Sequence, residues 1–425
     1  MRKMRREQWY SEDEYEQIRK KKLGILLQEI TTHVPYYRDR FGNGRKELNL
    51  SDFPLMDKAE IRAHEAELLH DNIANMGAQK NSTSGSTGQS LFFRVSAQAL
   101  AQRSAAHYNS LSWLDCCPCD SQAVLWGNRF DEEAESSLIG RLRKVLMPLQ
   151  FFSSYELRED QLAEFAERLK ANKVRLLTSY PSPLEYFAKY IQRKGLKFPK
   201  LHGIISASEQ LFPHQRQLFE EVFGCPVFNR YGSREFGLIA TECEQHDGLH
   251  IQGTRFLIEI LTEDGHPCAP GEVGDLYITD LDNWAMPFVR YRIGDLASWS
   301  GKPCKCGRIL PVLSGLHGRS FDLVRDSAGN VVSGTFWTLL TRYVSEQILA
   351  FQVQQNVENA IELRLVMADG KKLTHEEESL LRKKVAEKLP ALTVTLTYVP
   401  EIPLTASGKK RFVISSLVPH PDSEK

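Results

Sequence analysis

The sequence predicts an α/β protein in two parts, a large multi-layered α/β domain over residues 1–320 and a small α+β domain over residues 321–425. Three observations carry this expectation. The chain has 425 residues, more than the roughly 250–300 at which one hydrophobic core stops growing. From about residue 98 to 320 helical and strand patterns alternate, which argues for helices layered on a sheet. After about residue 320 the texture changes to paired strand-like segments with one helix. Hydrophobic residues make up 42% and charged residues 25% of the chain, an ordinary globular mixture that excludes a disordered, collagenous or disulfide-stapled protein.

The elements follow in order. Residues 12–43 read as a charged helix carrying Ile18, Leu23, Leu26, Leu27 and Ile30 and ending in Pro35-Tyr36-Tyr37. Further on, Leu162, Phe165 and Leu169 fall on one helical face, and Val174 to Thr178 reads as a short strand. Pro213 opens a helix through Leu218, Phe219 and Val222, Gly224 stops it, and Pro226-Val227-Phe228 begins the next strand. Ile348 to Val353 and Ile361 to Val366 read as antiparallel strands, with Asp369-Gly370 as turn signal. Thr374 and Glu377 form a capping box ahead of Leu381, Val385 and Leu389, and Leu392 to Val399 supplies one further strand.

Charge excludes several function classes. The 54 Lys and Arg cancel the 54 Asp and Glu, so no global field favours nucleic acid or an anionic membrane. The basic start, Met1 to Arg6, meets Glu7, Glu12, Asp13 and Glu14 where a secretory signal needs its apolar segment. No apolar run approaches the ~20 residues needed to cross a bilayer. A cytoplasmic protein with neither nucleic-acid nor membrane partners is expected, and its 8 cysteines then point to metal or packing rather than disulfides.

Two stretches carry chemistry. Asn81 to Ser90 holds Gly85, Gly88 and six hydroxyl residues just before Leu91 to Val95. Glycines let backbone N–H groups turn inward on a phosphate, and hydroxyls add neutral donors; the alternative is a flexible hydroxyl-rich turn. It is no Walker loop, because Gln89 follows Gly88 where that motif needs lysine. Cys304 and Cys306, with Cys243 and either His250 or His246 upstream, offer four ligands that suit tetrahedral Zn²⁺. His250 is preferred because Gly248-Leu249-His250-Ile251 enters a strand; thiols without metal are the alternative. Cys116, Cys117 and Cys119 read as packing residues, since Pro118 breaks their geometry and no histidine lies close.

Five segments stand in a recognisable order: the Thr83-Ser84-Gly85-Ser86-Thr87-Gly88 loop, Tyr231-Gly232-Ser233-Arg234-Glu235, Tyr291 to Leu296, Gly318 to Asp322, and Pro403 to Lys409. Together they resemble the ordered motifs of the adenylate-forming acyl-ligase superfamily. Val34-Pro35-Tyr36-Tyr37, the short length and Cys304 to Arg308 look most like its phenylacetate–coenzyme A ligase branch, which includes homologues encoded with capsule and exopolysaccharide genes. The resemblance implies ATP-dependent adenylation of a carboxylic acid to acyl-AMP and pyrophosphate, then acyl transfer to coenzyme A.

It also implies roles. The Thr83 to Gly88 loop would cradle the triphosphate, and Glu235 would be the carboxylate for Mg²⁺. Tyr231 would stack on adenine, with the Ser206-Ala207-Ser208-Glu209 turn presenting backbone to the same base. Asp295 would accept the ribose hydroxyls, and Arg319 would contact the ribose or α-phosphate. Lys409, on a mobile carboxy-terminal domain, would reach the carboxylate and α-phosphate during adenylation. Bland alternatives exist for each: a solvated Glu235, Tyr231 as core, Asp295 as a turn cap, Arg319 in a surface ion pair, Lys409 in a basic patch with Lys410 and Arg411. Some branch members carry the same cysteine pair with an upstream Cys and His, so structural Zn²⁺ is implied at Cys243, His250, Cys304 and Cys306.

Two positions depart from the pattern. Arg234 stands where the superfamily usually has Thr, and Phe321 replaces the first acid of the hinge. They keep open another acceptor (a carrier-protein thiol, an amine, or AMP transfer to a hydroxyl) and a non-catalytic nucleotide-binding role in polysaccharide assembly. Serine-hydrolase chemistry is excluded by the absence of a Gly-x-Ser-x-Gly elbow. Trp126, Phe151, Phe152 and Tyr180 would suit an aryl acid, although such side chains lie in cores more often than in pockets. The resemblance leans towards a homodimer.

Overall fold

The computed structural model describes residues 2–42, 48–83, 91–126, 149–153, 159–198, 200–319, 323–345, 347–403, 412–415 and 417. At the amino terminus, Ser11 caps a helix over Glu12–His33, its side chain accepting from Glu14 N. The predicted single helix to residue 43 divides here. Val34 is extended (φ −113°, ψ 111°) and a second helix, Pro35–Phe41, begins after it. The cause is local: a proline ring clashes with an α-conformation in the residue before it. Leu26, Ile30, Val34 and Tyr37 of this segment are fully buried, each contributing about 1.5–3 kcal/mol for a side chain of its size.

A hairpin, β1 (Gln79–Ser82) and β2 (Phe92–Val95), comes next. The large sheet then takes β3 (Gln122–Trp126), β4 (Leu149–Ser153), β5 (Leu176–Ser179), β6 (Gly203–Ala207) and β7 (Val227–Ser233) as a parallel array, with helices Glu159–Ala171, Pro181–Arg193 and Pro213–Phe223 between strands. Leu162, Phe165 and Leu169 are buried on the first of those helices, and Gly224 ends the last in the left-handed conformation (φ 63°), as predicted.

From β7 onward the sheet is antiparallel. β8 (Gly237–Thr241), β9 (Leu249–Ile251), β10 (Phe256–Leu261), β11 (Gly274–Asp280), β12 (Tyr291–Trp299) and β13 (Val312–Arg319) complete eleven strands in the order β10-β11-β12-β13-β9-β8-β7-β6-β5-β3-β4. The expected helix–strand alternation therefore ends at residue 233 instead of 320. Among the described residues no α-helix intervenes between Phe223 and Gly334. Short connections of this kind can only return the chain antiparallel.

The remainder forms a hairpin, β14 (Leu323–Arg325) with β15 (Val331–Ser333), a helix over Gly334–Val344, and a second sheet. That sheet orders β18 (Thr393–Tyr398), β17 (Ala360–Met367), β16 (Ile348–Val357) and β19 (Val413–Ser415). β16 and β17 are antiparallel as expected, whereas β18 pairs parallel to β17. The reversal lies at Asn359 (φ 63°), and Asp369-Gly370 instead forms a single 3₁₀ turn after β17. The Thr374–Glu377 capping box is present on helix His375–Lys388, which packs Leu381 and Val385 into a core with Val353, Leu363 and Leu365. No described helix is long and apolar enough to cross a membrane.

Candidate functional site

The carboxyl ends of parallel strands are where open α/β sheets bind ligands, and here β6 and β7 end side by side, with Ala207 opposite Arg230. β7 runs through Tyr231, Gly232 and Ser233 into a turn that carries Arg234 and Glu235 before β8. The turn is tight. A Cβ on Gly232 would lie 2.6 Å from the Gly237 carbonyl oxygen, so only glycine fits there. Ser233 Oγ accepts from Phe236 N at 3.3 Å, closing the turn.

Tyr231 is buried, and its hydroxyl donates to Asp295 Oδ2 at 2.6 Å. Asp295 lies inside β12, not in a capping turn, next to Gly294 (φ 89°) and at a register shift against β13. Arg319 sits directly opposite it, with Nε 3.5 Å from Asp295 Oδ1 and nearly half of its side chain exposed. Glu235 is 5% exposed, and the Tyr291 hydroxyl donates to its Oε1 at 3.4 Å. Burial, then the Asp295 carboxylate, holds the Tyr231 phenol well above its ordinary pKa. For Tyr291 the causes are burial and Glu235. The Arg319 guanidinium acts the other way and lowers the Tyr231 phenol, while the Glu235 carboxylate adds a smaller raising effect.

Ser208 follows β6 in the left-handed region (φ 66°). The Glu209 carboxylate turns away from β7 and accepts from Ser182 N and Ser182 Oγ, both at 3.0 Å. It thereby caps the start of helix Pro181–Arg193, where a negative charge meets the positive end of the helix dipole. Thr83 closes the base of the hydroxyl-rich loop: its N–H donates to Leu91 O at 2.9 Å and its Oγ1 accepts from Leu91 N at 3.1 Å. Asn283 fastens β2 by accepting from Ser96 N at 3.0 Å and donating to Arg94 O at 2.9 Å. Ser84, Gly85, Ser86, Thr87 and Gly88, and likewise Phe321 and Lys409, lie outside the described residues. Tyr291 was in a recognised segment but received no role. Its signal was the period-2 spacing that puts residues 291 and 295 on one strand face.

A second cluster gathers Cys243, His250, Cys304 and Cys306, whose ligand atoms lie within 4.8 Å of one another. Cys243 follows β8, His250 lies in β9, and the Cys304 loop joins β12 to β13, which pairs with β9 at Val312 and His250. Cys243 Sγ is 3.6 Å from Cys304 Sγ, and Cys306 Sγ is 3.5 Å from His250 Nε2. Tetrahedral zinc, with bonds near 2.3 Å to sulfur and 2.0–2.1 Å to nitrogen, separates its ligands by roughly 3.5–3.8 Å, so the donor set fits. Burial pushes His250 down to about 4, leaving the imidazole neutral as a ligand must be. Burial raises the Cys306 thiol, yet the Arg308 N–H and guanidinium outweigh it and leave the thiol below its ordinary value. His246 is directed elsewhere, onto Glu242 at 3.1 Å. One cysteine reading is corrected: Cys116 is buried packing, but Cys117 and Cys119 form a disulfide. The turn closed by Asp120 N donating to Cys117 O at 3.1 Å folds the two thiols together across Pro118.

The fold is the architecture of adenylate-forming ligases. The structure superposes on 2-hydroxyisobutyryl-CoA ligase in its postadenylation state with 2-HIB-AMP at a TM-score of 0.76 and 17% identity, covering 97% of this chain and 91% of that one. ATP-bound MatB from Rhodopseudomonas palustris gives 0.56 at 15% identity, over 78% and 66%. Protein CapK of Staphylococcus aureus is 24% identical over 390 residues, 87% of this chain and 81% of that protein. The phenylacetate-coenzyme A ligase of Thermus thermophilus is 26% identical over 267 residues, 56% and 60% respectively. Residues 324–416 match the family described as the CapK C-terminal domain. The chain is thus similar to proteins of the phenylacetate–coenzyme A ligase-like branch of the superfamily.

Proposed function

We propose that this protein activates a carboxylic acid with ATP, forming an acyl-adenylate and pyrophosphate, and then transfers the acyl group to coenzyme A. The observation that carries the reading is the Tyr231–Asp295–Arg319 chain of contacts at the end of the parallel strands, with Glu235 on the turn that follows Tyr231. In this reading the ring of Tyr231 packs against adenine while its hydroxyl orients Asp295 to accept from both ribose hydroxyls. Arg319, partly exposed, would direct its guanidinium to the ribose or α-phosphate, where charge develops during attack. Glu235 would hold Mg²⁺, which supplies charge neutralisation for the phosphates. The Thr83 to Gly88 loop would close over the triphosphate. Lys409, on the small domain proposed to begin at residue 321, would enter for adenylation and withdraw for thioester formation. Cys243, His250, Cys304 and Cys306 would hold a structural Zn²⁺ that ties β8, β9 and the β12–β13 loop together.

Arg234 and Phe321 favour a second reading, in which the adenylate passes to an acceptor other than coenzyme A. One experiment separates the outcomes: carboxylate-dependent ATP–pyrophosphate exchange over a panel of aryl and aliphatic acids, followed by acceptor trapping with coenzyme A, an amine and a hydroxyl compound. Exchange with at least one acid, lost in Glu235→Ala, is the expected result. Exchange with none of the acids would end the catalytic reading. A product with the amine or hydroxyl compound alone would replace coenzyme A.

A further inference from the structure

The turn that carries Glu235 is held from beneath by two arginines that belong to none of the recognised motifs. Arg103 lies on helix Ala97–Leu111, which follows β2; Arg255 ends a single 3₁₀ turn, Gly253–Arg255, ahead of β10. Arg103 Nη1 donates to the Arg234 carbonyl at 3.1 Å, and its Nη2 donates to the carbonyl of Glu235 itself. Arg255 Nη1 donates to Leu238 O at 3.0 Å and Nη2 to Phe236 O at 3.1 Å. Four of the five carbonyls from Arg234 to Leu238 thus accept from a guanidinium. Gly237 (φ 69°) completes the fit, since a Cβ there would meet Arg103 Cγ at 3.1 Å.

Buried cations need counter-charges. Arg255 is 1% exposed, and Asp280 and Asp282 beside it are 1% and 5% exposed. Arg255 Nε lies 3.9 Å from Asp282 Oδ2, and Asp282 Oδ1 takes Lys22 Nζ at 2.7 Å from the Glu12–His33 helix. Arg103 interacts electrostatically with Asp280 and with Glu235. Three cations and three carboxylates, Glu235 among them, therefore share this region. The network faces the backbone of the turn, while the Glu235 side chain meets Tyr291.

We infer that Arg103 and Arg255 are positioning residues that clamp the Glu235 turn, so that its carboxylate is presented to the metal already in place. The functional half of the inference rests on the proposed role of Glu235. A guanidinium spans two carbonyls with a rigid planar fork, whereas a lysine keeps the charge and cannot span them. Lysine substitution therefore separates clamping from charge balance.

The test uses the full-length protein with Arg103→Lys and Arg255→Lys, with Arg103→Met as the harsher variant. Thermal unfolding first establishes that each is folded. Amide hydrogen exchange of residues 233–238 is expected to accelerate roughly tenfold or more in the lysine variants. The Mg²⁺ concentration for half-maximal pyrophosphate exchange should rise roughly 10-fold, the scale at which outer partners tune metal ligands. Affinity for ATP without metal should stay unchanged. Wild-type amide exchange in both lysine variants would overturn the clamp. A loss of metal-free ATP affinity equal to the rise in Mg²⁺ requirement would reduce the arginines to general scaffolding. Full pyrophosphate exchange in Glu235→Ala would overturn the metal role while leaving the clamp to the amide-exchange result.

Discussion

The Tyr231 hydroxyl holds Asp295, which pairs in turn with Arg319. Removing that hydroxyl in Tyr231→Phe takes a hydrogen bond from Asp295, and a hydrogen bond to a charged group contributes about 1.5–3 kcal/mol. The expected outcome is an ATP KM raised roughly tenfold in pyrophosphate exchange, with the fold intact by circular dichroism. Both Tyr231 and Tyr291 have their phenol pKa raised by burial and a neighbouring carboxylate. A folded-state value above the unfolded value, ~10 for tyrosine, means stability that is complete below pH ~10 and lost as pH rises beyond it. Stability measured by urea unfolding should therefore fall above pH 10, and fall less steeply in Tyr231→Phe and Tyr291→Phe. Asp295 and Glu235 stand out in the sequence because each lies in a short contiguous motif-like segment. Arg103 was not, because 131 positions separate it from the turn whose backbone it holds.

Elements were read best where their ends are chemical. Thr374 accepts from Glu377 N at 3.2 Å, and Glu377 accepts in return from Thr374 N at 2.8 Å. Thr374→Ala should lower stability by ~1 kcal/mol, the usual value of a lost N-cap, measured by thermal unfolding. The Val34 break was equally local in cause, yet the apolar pattern running past it hid the boundary. The antiparallel half of the large sheet was missed for a different reason: strands of three to nine residues carry too few alternations to reveal the direction of their partners. Direction is set by connection length and by left-handed glycines such as Gly248 (φ 92°), where a Cβ would lie 2.6 Å from the Leu313 carbonyl oxygen.

At the scale of the whole molecule, the cysteine cluster draws on three segments between positions 243 and 306 and is assembled only when β9 pairs with both β8 and β13. If zinc occupies it, the purified protein should contain the metal stoichiometrically by atomic emission. Cys306→Ser should then lose both the metal and several degrees of thermal stability, while Cys117→Ser retains the metal. A chelator should lower the unfolding temperature of the wild type and leave that of Cys306→Ser unchanged. The same long-range assembly holds for the proposed nucleotide site, where Tyr231, Asp295 and Arg319 come from β7, β12 and β13.

The sequence by itself determined the α/β class and helix ends such as the Thr374–Glu377 capping box and Gly224, because each cap depends on neighbours a few positions apart. Tertiary structure decided that Glu209 caps a helix and that two distant arginines underlie Glu235, and it set His250, which the sequence preferred, beside the three cysteines. Those outcomes depend on which strands pair and on which buried charges meet, and a linear pattern holds no record of either.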